Sequence, residues 1–439
     1  MNMCKTLKII LAAFVSVLPV LSAKAQENAY NTFSPYSMFG IGDISKQGTV
    51  YNRSMGGIGI ATRDARALNI MNPAAVTKRE TKAVMIDFGL FSENKYYKQH
   101  GIKSSNNTFN MYDIIMSFPV YKSFSMYAGF TPFSNIGYDI TSYDSDPAII
   151  ASTGGTTYQA IGSGGLNNAF IGGGIDIFKG FSAGAEIDYV FGKINKDNLV
   201  DAQKTDIRDV YSGYEMRLHS FTGKIGAQYE MQLKNSMRAT FGATYRLKTR
   251  MRGSINDVRY ASIGSIVDTL ASNYNHLSKD DGVKLAGEIG VGFSLKRGDK
   301  WTAEINYIRS DWSHCGMNVS GFANVGDAKF SAAASQSIRA GFSLVPNRND
   351  IRYYMKRVTY RAGTYWDREY YKLDGNTIDA FGLTFGATFP VFRWSNGLSV
   401  GMDIGQRGSL SGNKVRERYI NFTVGLNIFD IWFLKPQYE

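Results

Sequence analysis

The four histidines of this 439-residue chain, His100, His219, His276 and His314, are scattered with no metal-ligand spacing. Each reads as an isolated loop or interior side chain. Asp144-Ser145-Asp146 brings two carboxylates close enough to touch calcium, but the glycine and distal glutamate of a calcium loop are missing, so a solvated loop is the reading. Gly57-x-Gly59 opens like a dinucleotide-binding turn, yet has no third glycine and no strand–helix–strand unit behind it. No nucleophile stands beside a base. The residue types and spacings therefore predict no enzyme, no cofactor and no metal.

Other charged residues follow a pattern. Asp87, Asp113, Glu186, Asp188, Lys224, Arg238, Arg246, Glu288, Glu304 and Arg339 each fall in segments of about ten residues that alternate polar and apolar. Val84, Ile86, Phe88 and Leu90 share one face; Tyr112, Ile114, Met116 and Phe118 share the next; Phe181, Ala183, Ala185, Ile187, Tyr189 and Phe191 form another. Period-2 alternation means strands with one apolar side. About fourteen such segments run from Thr81 to Phe429. The connections Ser92–Asn107, Ser134–Asn168, Lys193–Arg217, Lys248–Gly282 and Ser313–Gln336 are long, and those between them are mostly short. Long loops alternating with tight turns are the habit of an outer-membrane barrel. A lipid-facing charge near the bilayer midplane costs roughly 2–4 kcal/mol, so the charged faces must look into the lumen.

The N-terminus agrees with export. Lys5 and Lys8 precede the apolar run Ile9–Leu21, and Ala23-Lys24-Ala25 supplies a cleavage site, which predicts a signal peptide over 1–25. Cys4 precedes the apolar run, which excludes lipidation, and Cys315 is the one cysteine left, so no disulfide forms within a mature chain. The net charge of +12 falls to +9 without Lys5, Lys8 and Lys24. An exported basic chain points to outer-membrane lipid and acidic lipopolysaccharide as partners, and away from nucleic acid. Aromatic residues at 13% and 46 glycines suit a barrel wall; no later segment is apolar over the length of a spanning helix.

Ahead of the strands lies Arg53–Val76, a glycine-rich turn and a helical-looking run ending at Asn72-Pro73, where the proline would stop the helix. Here Gly56, Gly57, Ala61, Asp64, Asn72, Pro73 and Ala74 resemble the N-terminal hatch of the FadL/TodX family of outer-membrane transporters. Phe130-Thr-Pro-Phe-Ser134 and Phe381–Pro390 are similar to that family's third-strand and late-strand regions, and Ser34–Asp43 looks like divergent Bacteroidota-type members.

The resemblance implies an all-β fold: a transmembrane antiparallel barrel of about fourteen strands with an N-terminal hatch, or plug, in the lumen. Its divisions would be 1–25 signal peptide, 26–80 arm and hatch, 81–433 barrel and 434–439 polar tail. It also implies diffusion of a hydrophobic small molecule, a long-chain fatty acid or aromatic hydrocarbon, with lateral exit where a strand kinks inward. Gly129 and Pro132 sit where such a kink would fall; equally, Pro132 would simply end its strand.

The polar tail and the lack of an apolar groove in Ser152–Asn168 depart from the family pattern. They open a second reading, a non-transporting barrel subunit of a secretion or assembly complex that binds envelope proteins. A plain porin is disfavoured because a plug would obstruct it. With a plug, Arg53, Arg63, Asp64 and Arg66 are expected to pair with inward charges such as Asp87, Glu186 or Glu288.

Overall fold

The computed structural model describes residues 31–431 apart from 80–82, 100, 122, 145, 265, 278–281, 318–321, 323–328, 393–395 and 412–413. The expected signal peptide, the polar tail and His100 lie outside the described residues. Fourteen antiparallel strands form a closed wall. In chain order they are β1 Ala83–Gln99, β2 Ile102–Tyr121, β3 Phe124–Tyr143, β4 Thr156–Phe178, β5 Phe181–Ala202 and β6 Asp209–Gln232. β7 comprises Met237–Arg246 and Arg252–Ile263, and β8 comprises Ile266–His276 and Glu288–Arg297. Then come β9 Trp301–Asp311, β10 Ala334–Leu344, β11 Thr359–Leu373, β12 Asn376–Phe392, β13 Asn396–Arg407 and β14 Arg416–Ile431. β14 pairs back onto β1, from Ala83↔Ile431 to Lys98↔Arg416. Among the described residues no helix is long and apolar enough to cross a membrane.

Alternation sorts the side chains as a bilayer requires. Ile420, Phe422, Val424, Leu426 and Ile428 of β14 are exposed, while Tyr419, Asn421 and Thr423 between them are buried. On β5, Ile187 is exposed whereas Glu186 and Asp188 are buried. One assignment is corrected. Tyr112 does not share the outward face of Ile114 and Met116, because it drops out of register between the pairs Gly89↔Asp113 and Leu90↔Met111. That bulge turns its ring inward, where it is 4% exposed.

The long stretches expected as loops are largely strand. β1 and β2 run on to Gln99↔Ile102, β3 and β4 to Tyr143↔Thr157, and β5 and β6 to Val200↔Val210. Within 248–282, Arg252–Ile263 and Ile266–His276 form a hairpin. Beyond the bilayer neither face of a strand must be apolar, so alternation fades while backbone pairing continues. The other end has tight turns, as at Lys179-Gly180, and that end faces the periplasm in outer-membrane barrels. Its exception is the longer connection 345–358 between β10 and β11.

Before the wall begins, residues 31–79 fill the barrel interior. Ser34 caps a short 3-10 helix, Pro35–Met38, and an α-helical turn spans Val50–Arg53. Tyr36, Phe39 and Ile41 enter one apolar cluster with Ile136, Leu166, Met216, Trp312, Tyr370 and Tyr371. The expected helix ending at Pro73 is absent. A 3-10 helix, Pro73–Thr77, begins there instead, with Asn72 accepting from the Ala74 N–H. Proline lacks the N–H that a first-turn residue leaves free, so it opens a helix as readily as it ends one.

Wall glycines make room for this segment. A Cβ on Gly363 would lie 2.3 Å from Gly56 N, whereas one on Gly223 meets nothing closer than 3.4 Å. Gly363→Ala is therefore expected to destabilise the folded barrel by about 1–3 kcal/mol through overpacking. Gly223→Ala should stay within about 0.5 kcal/mol. Heat- and urea-dependent gel mobility of the purified protein measures both; equal midpoints would contradict the packing described.

Candidate functional site: the lumenal segment and the seam between β2 and β3

Residues 53–76 lie against inward faces all round the lumen. Gly56 and Gly57 both have positive φ, +73° and +77°, and a Cβ on Gly56 would meet the Ala340 carbonyl oxygen at 2.7 Å. Gly56 N–H donates to Thr384 Oγ1 at 2.7 Å. The N–H groups of Gly59 and Ala61 both donate to Glu304 Oε1 at 3.0 Å, and Thr62 donates its hydroxyl to the same carboxylate. Asn72 Nδ2 donates to the carbonyls of Ile60, Ala227 and Ala243 at 2.8, 3.2 and 3.3 Å, joining the segment to β6 and β7. Pro73 and Ala74 pack on the Gly184 backbone of β5.

The charged residues of this segment find partners other than those expected. Arg63 pairs with Asp176 at 3.1 Å, Asp64 with Lys296 at 3.6 Å and Arg66 with Asp299 at 3.1 Å. Arg53 makes no ion pair among the described residues; its guanidinium stacks on the rings of Phe91 and Tyr112 at 4.0 and 3.9 Å. Of the proposed inward partners, Glu186 pairs with Lys224 at 2.6 Å and Glu288 with Arg246 at 3.1 Å, while Asp87 accepts from Asn427 at 3.1 Å. Glu186–Lys224 and Glu288–Arg246 are satisfied across neighbouring strands, and the inner segment relies mainly on backbone donors and on acids at the periplasmic turns.

β2 and β3 are hydrogen-bonded only from Tyr121↔Phe124 to Ile114↔Phe130. From there outward β2 follows β1 and β3 follows β4, so two strand edges part. Gly129 is in the next-to-last pair, opposite Ile115. Pro132 does not end its strand, since β3 continues to Tyr143; it sits at a register shift between Pro132 and Ser134 on the β4 side.

The N-terminal arm fills the parting. Asp43 and Ile44 pair as a short strand with Asn135 and Ser134 of β3. Ser45 N–H donates to the Phe133 carbonyl at 2.9 Å and Ser34 N–H to that of Gly137 at 2.7 Å. On the other flank, the Tyr112 hydroxyl of β2 donates to the Lys46 carbonyl at 2.7 Å, and from β1 Lys95 Nζ donates to Thr32 Oγ1 at 2.9 Å.

Two cations hold the arm down. Arg407 of β13 meets Asp43 at 2.8 Å, Glu417 at 2.8 Å and Glu369 at 3.3 Å. Lys95 lies 3.0 Å from Glu93, 3.5 Å from Glu417 and 4.0 Å from Asp43. Ser34 Oγ donates to Glu417 at 2.9 Å. Glu417 is 1% exposed and Arg407 7%, so this is a buried network whose members depend on one another. Beside it lies a cavity of about 450 Å³, bounded by Lys46, Arg53, Pro132, Phe133 and Trp312 among others. Trp312 and Tyr370, which line the cavity, pack with Tyr371 in the buried apolar cluster.

Sequence reasoning missed this network. Asp403, Arg407 and Glu417 fall on the polar side of the β13 and β14 alternation, which is the signal that could have marked them as lumenal. Nothing in their spacing joins them to Asp43. Asp146, weighed for calcium, caps the helix Pro147–Thr153 by accepting from Ala148 N–H at 2.8 Å. Among the described residues no group of three or more His, Cys, Asp or Glu could hold a metal.

The BamG family model matches residues 3–439. The chain belongs to the BamG family. No curated protein matches it. The solved structures it resembles include channels and transporters. The Pseudomonas putida toluene transporter TodX is 14% identical, with a TM-score of 0.57, covering 91% of this chain and 100% of its own. The Ralstonia pickettii toluene transporter TbuX is 15% identical, TM-score 0.56, covering 90% and 98%. A Pseudomonas aeruginosa FadL homologue is 11% identical, TM-score 0.56, covering 88% and 99%. At these identities the likeness is one of fold. This BamG-family member is an outer-membrane barrel with the FadL/TodX fold.

Arg407→Met would strand the buried carboxylates of Asp43, Glu369 and Glu417, a change that costs about 3–5 kcal/mol when one partner of a buried pair is removed. The expected result is a loosened arm in a folded barrel. The thiol of Ser45→Cys should then react with a maleimide at least about ten-fold faster in the Arg407→Met background. Cys315 is fully buried and gives a low background. Unchanged labelling would show that the arm is held by other contacts.

Proposed function

We propose that this barrel passes a hydrophobic small molecule, of the long-chain fatty acid or aromatic hydrocarbon class, with the N-terminal arm as the gate and residues 53–76 as the hatch. The observation that carries this reading is the parting of β2 from β3 beyond Ile114↔Phe130, closed by a separate piece of chain. An apolar solute gains by leaving through a wall into lipid, where no water surrounds it. Withdrawal of the arm would open such an exit beside the 450 Å³ cavity. The names of the structural neighbours, toluene transporters and a monoaromatic hydrocarbon channel, support the solute class.

The gate is closed at rest. Removing Asp43 from Arg407 would cost several kcal/mol, so the open form is a minor state that a solute must favour by binding it better. Gly129 and Pro132 then act as the fixed edge of the exit. Gln47 Nε2 contacts the Pro132 carbonyl at 3.4 Å from the arm.

The second reading is a static barrel subunit that binds envelope proteins. Buried ion pairs cross the lumen, which suits such a subunit as well as a gate.

A disulfide across the seam separates the two. Ile44 of the arm lies directly opposite Ser134 of β3, as close as cross-strand neighbours come, so Ile44→Cys with Ser134→Cys can cross-link the arm to β3. Transport predicts that the oxidised variant loses uptake of labelled oleate or toluene in cells and regains it on reduction. Uptake equal in the oxidised and reduced forms would reject the gate. Stoichiometric co-purification of other envelope proteins with the locked, non-transporting form would favour the subunit.

A further inference from the structure

The connection 345–358 helps wall a cavity of about 800 Å³ at the periplasmic end, between the inner segment and the starts of β9 and β11. Six cations line it, Arg66, Lys296, Lys300, Arg348, Arg357 and Arg361, against the three carboxylates of Asp64, Asp299 and Asp350. Those carboxylates are engaged: Asp64 with Lys296 at 3.6 Å, Asp299 with Arg66 at 3.1 Å, and Asp350 with Lys356 at 3.4 Å. Among the described residues, none of Lys300, Arg348, Arg357 and Arg361 has a carboxylate within 4.0 Å.

Arg361 is the most informative of them. It is 7% exposed, lies over the Tyr51 ring at 4.5 Å, and reaches Ser54 Oγ only at 3.5 Å. The Nε atoms of Arg348, Arg357 and Arg361 are all buried without a hydrogen-bond acceptor. A guanidinium removed from water needs an anion or several acceptors to offset its lost hydration. The protein supplies too few, and the one face left to these side chains is the cavity. The field there is positive enough to act on the neighbouring acid. Burial pushes the Asp64 carboxyl up, but Lys296, Arg348 and Arg66 more than offset this and it sits below its ordinary value.

We propose that this cavity is a phosphate-binding site, with the phosphate carried by an anionic phospholipid of the adjoining leaflet. Guanidinium groups match phosphate oxygens in a fork geometry, and several can share one phosphate. The cavity rim is apolar: Val391 is 54% exposed, Ile351 98% and Tyr354 41%. Cations below an apolar, aromatic rim at the end of a barrel wall fit a headgroup whose acyl chains stay in the bilayer. Free phosphate offers the same oxygens and is the other source. The site does not depend on what crosses the lumen.

The test uses the full chain reconstituted into nanodiscs of mixed phosphatidylglycerol and phosphatidylcholine, then examined by native mass spectrometry. A second arm measures thermal protection in detergent by inorganic phosphate alone. The wild type is expected to retain phosphatidylglycerol selectively, and Arg348→Gln with Arg357→Gln to retain it about ten-fold more weakly, the loss expected from removing charge-assisted bonds. Protection by inorganic phosphate that the double variant loses, without retained lipid, would keep the site and assign it to the free ion. Binding of neither probe, or equal binding by wild type and variant, overturns the proposal. Heat-dependent gel mobility confirms that the variant is folded; should it not be, Arg361→Lys, which keeps the charge and loses the fork, is expected to show the same selective weakening.

Discussion

A closed barrel leaves no strand edge bare, and the rest of this structure depends on how that constraint is met where β2 and β3 diverge. Unpaired backbone groups inside a membrane protein are costly, and an open edge invites pairing with whatever chain arrives. The arm pairs Asp43 and Ile44 with the β3 edge and offers carbonyls to the side chains of Tyr112 on β2 and Tyr97 on β1. Backbone pairing over two residues would hold weakly alone. Arg407 and Lys95, buried among Asp43, Glu93, Glu369 and Glu417, make the closure firm.

The same logic runs inward. Lys224–Glu186 and Arg246–Glu288 pair across neighbouring strands, away from lipid, and Glu304 accepts the amides of Gly59 and Ala61 from the segment that fills the lumen. Wall and filling are thus two halves of one polar interior. A fold shared with TodX and TbuX at about one residue in seven is consistent with this division. Alternation and register fix the barrel, while the identities of the lumenal residues are free to diverge.

The barrel was legible because the bilayer enforces it: Ile187 and Phe181 must face lipid and Glu186 and Asp188 must not, so the strands and their number follow from period-2 patterning. Legibility fell where that force ends. Lys103–Asn107 pairs with β1 yet alternates nothing, so its sequence reads as loop. Tyr112 reads as outward in the sequence because a one-residue bulge inverts the phase without altering composition. The Asn72-Pro73 helix start looked like a helix stop because proline suits both positions. Partners of Arg63, Asp64 and Arg66 were not legible at all. The lumen brings Asp176, Lys296 and Asp299 to them from distant hairpins, and no local pattern encodes that choice.

The placement of residues 31–79 inside a wall that opens with β1 and closes with β14 orders the events of assembly. The chain passes through the lumen before it enters the wall, and the final pairing runs from Ala83↔Ile431 to Lys98↔Arg416. Once that pairing is made, a buried segment with side chains as large as Tyr36, Tyr51 and Met55 would have to enter through an end already narrowed by packed neighbours. Seating the segment while the β1 and β14 edges are still apart avoids that passage. In that order the inner segment serves as the core on which the wall is wrapped, and the last strand is the fastening.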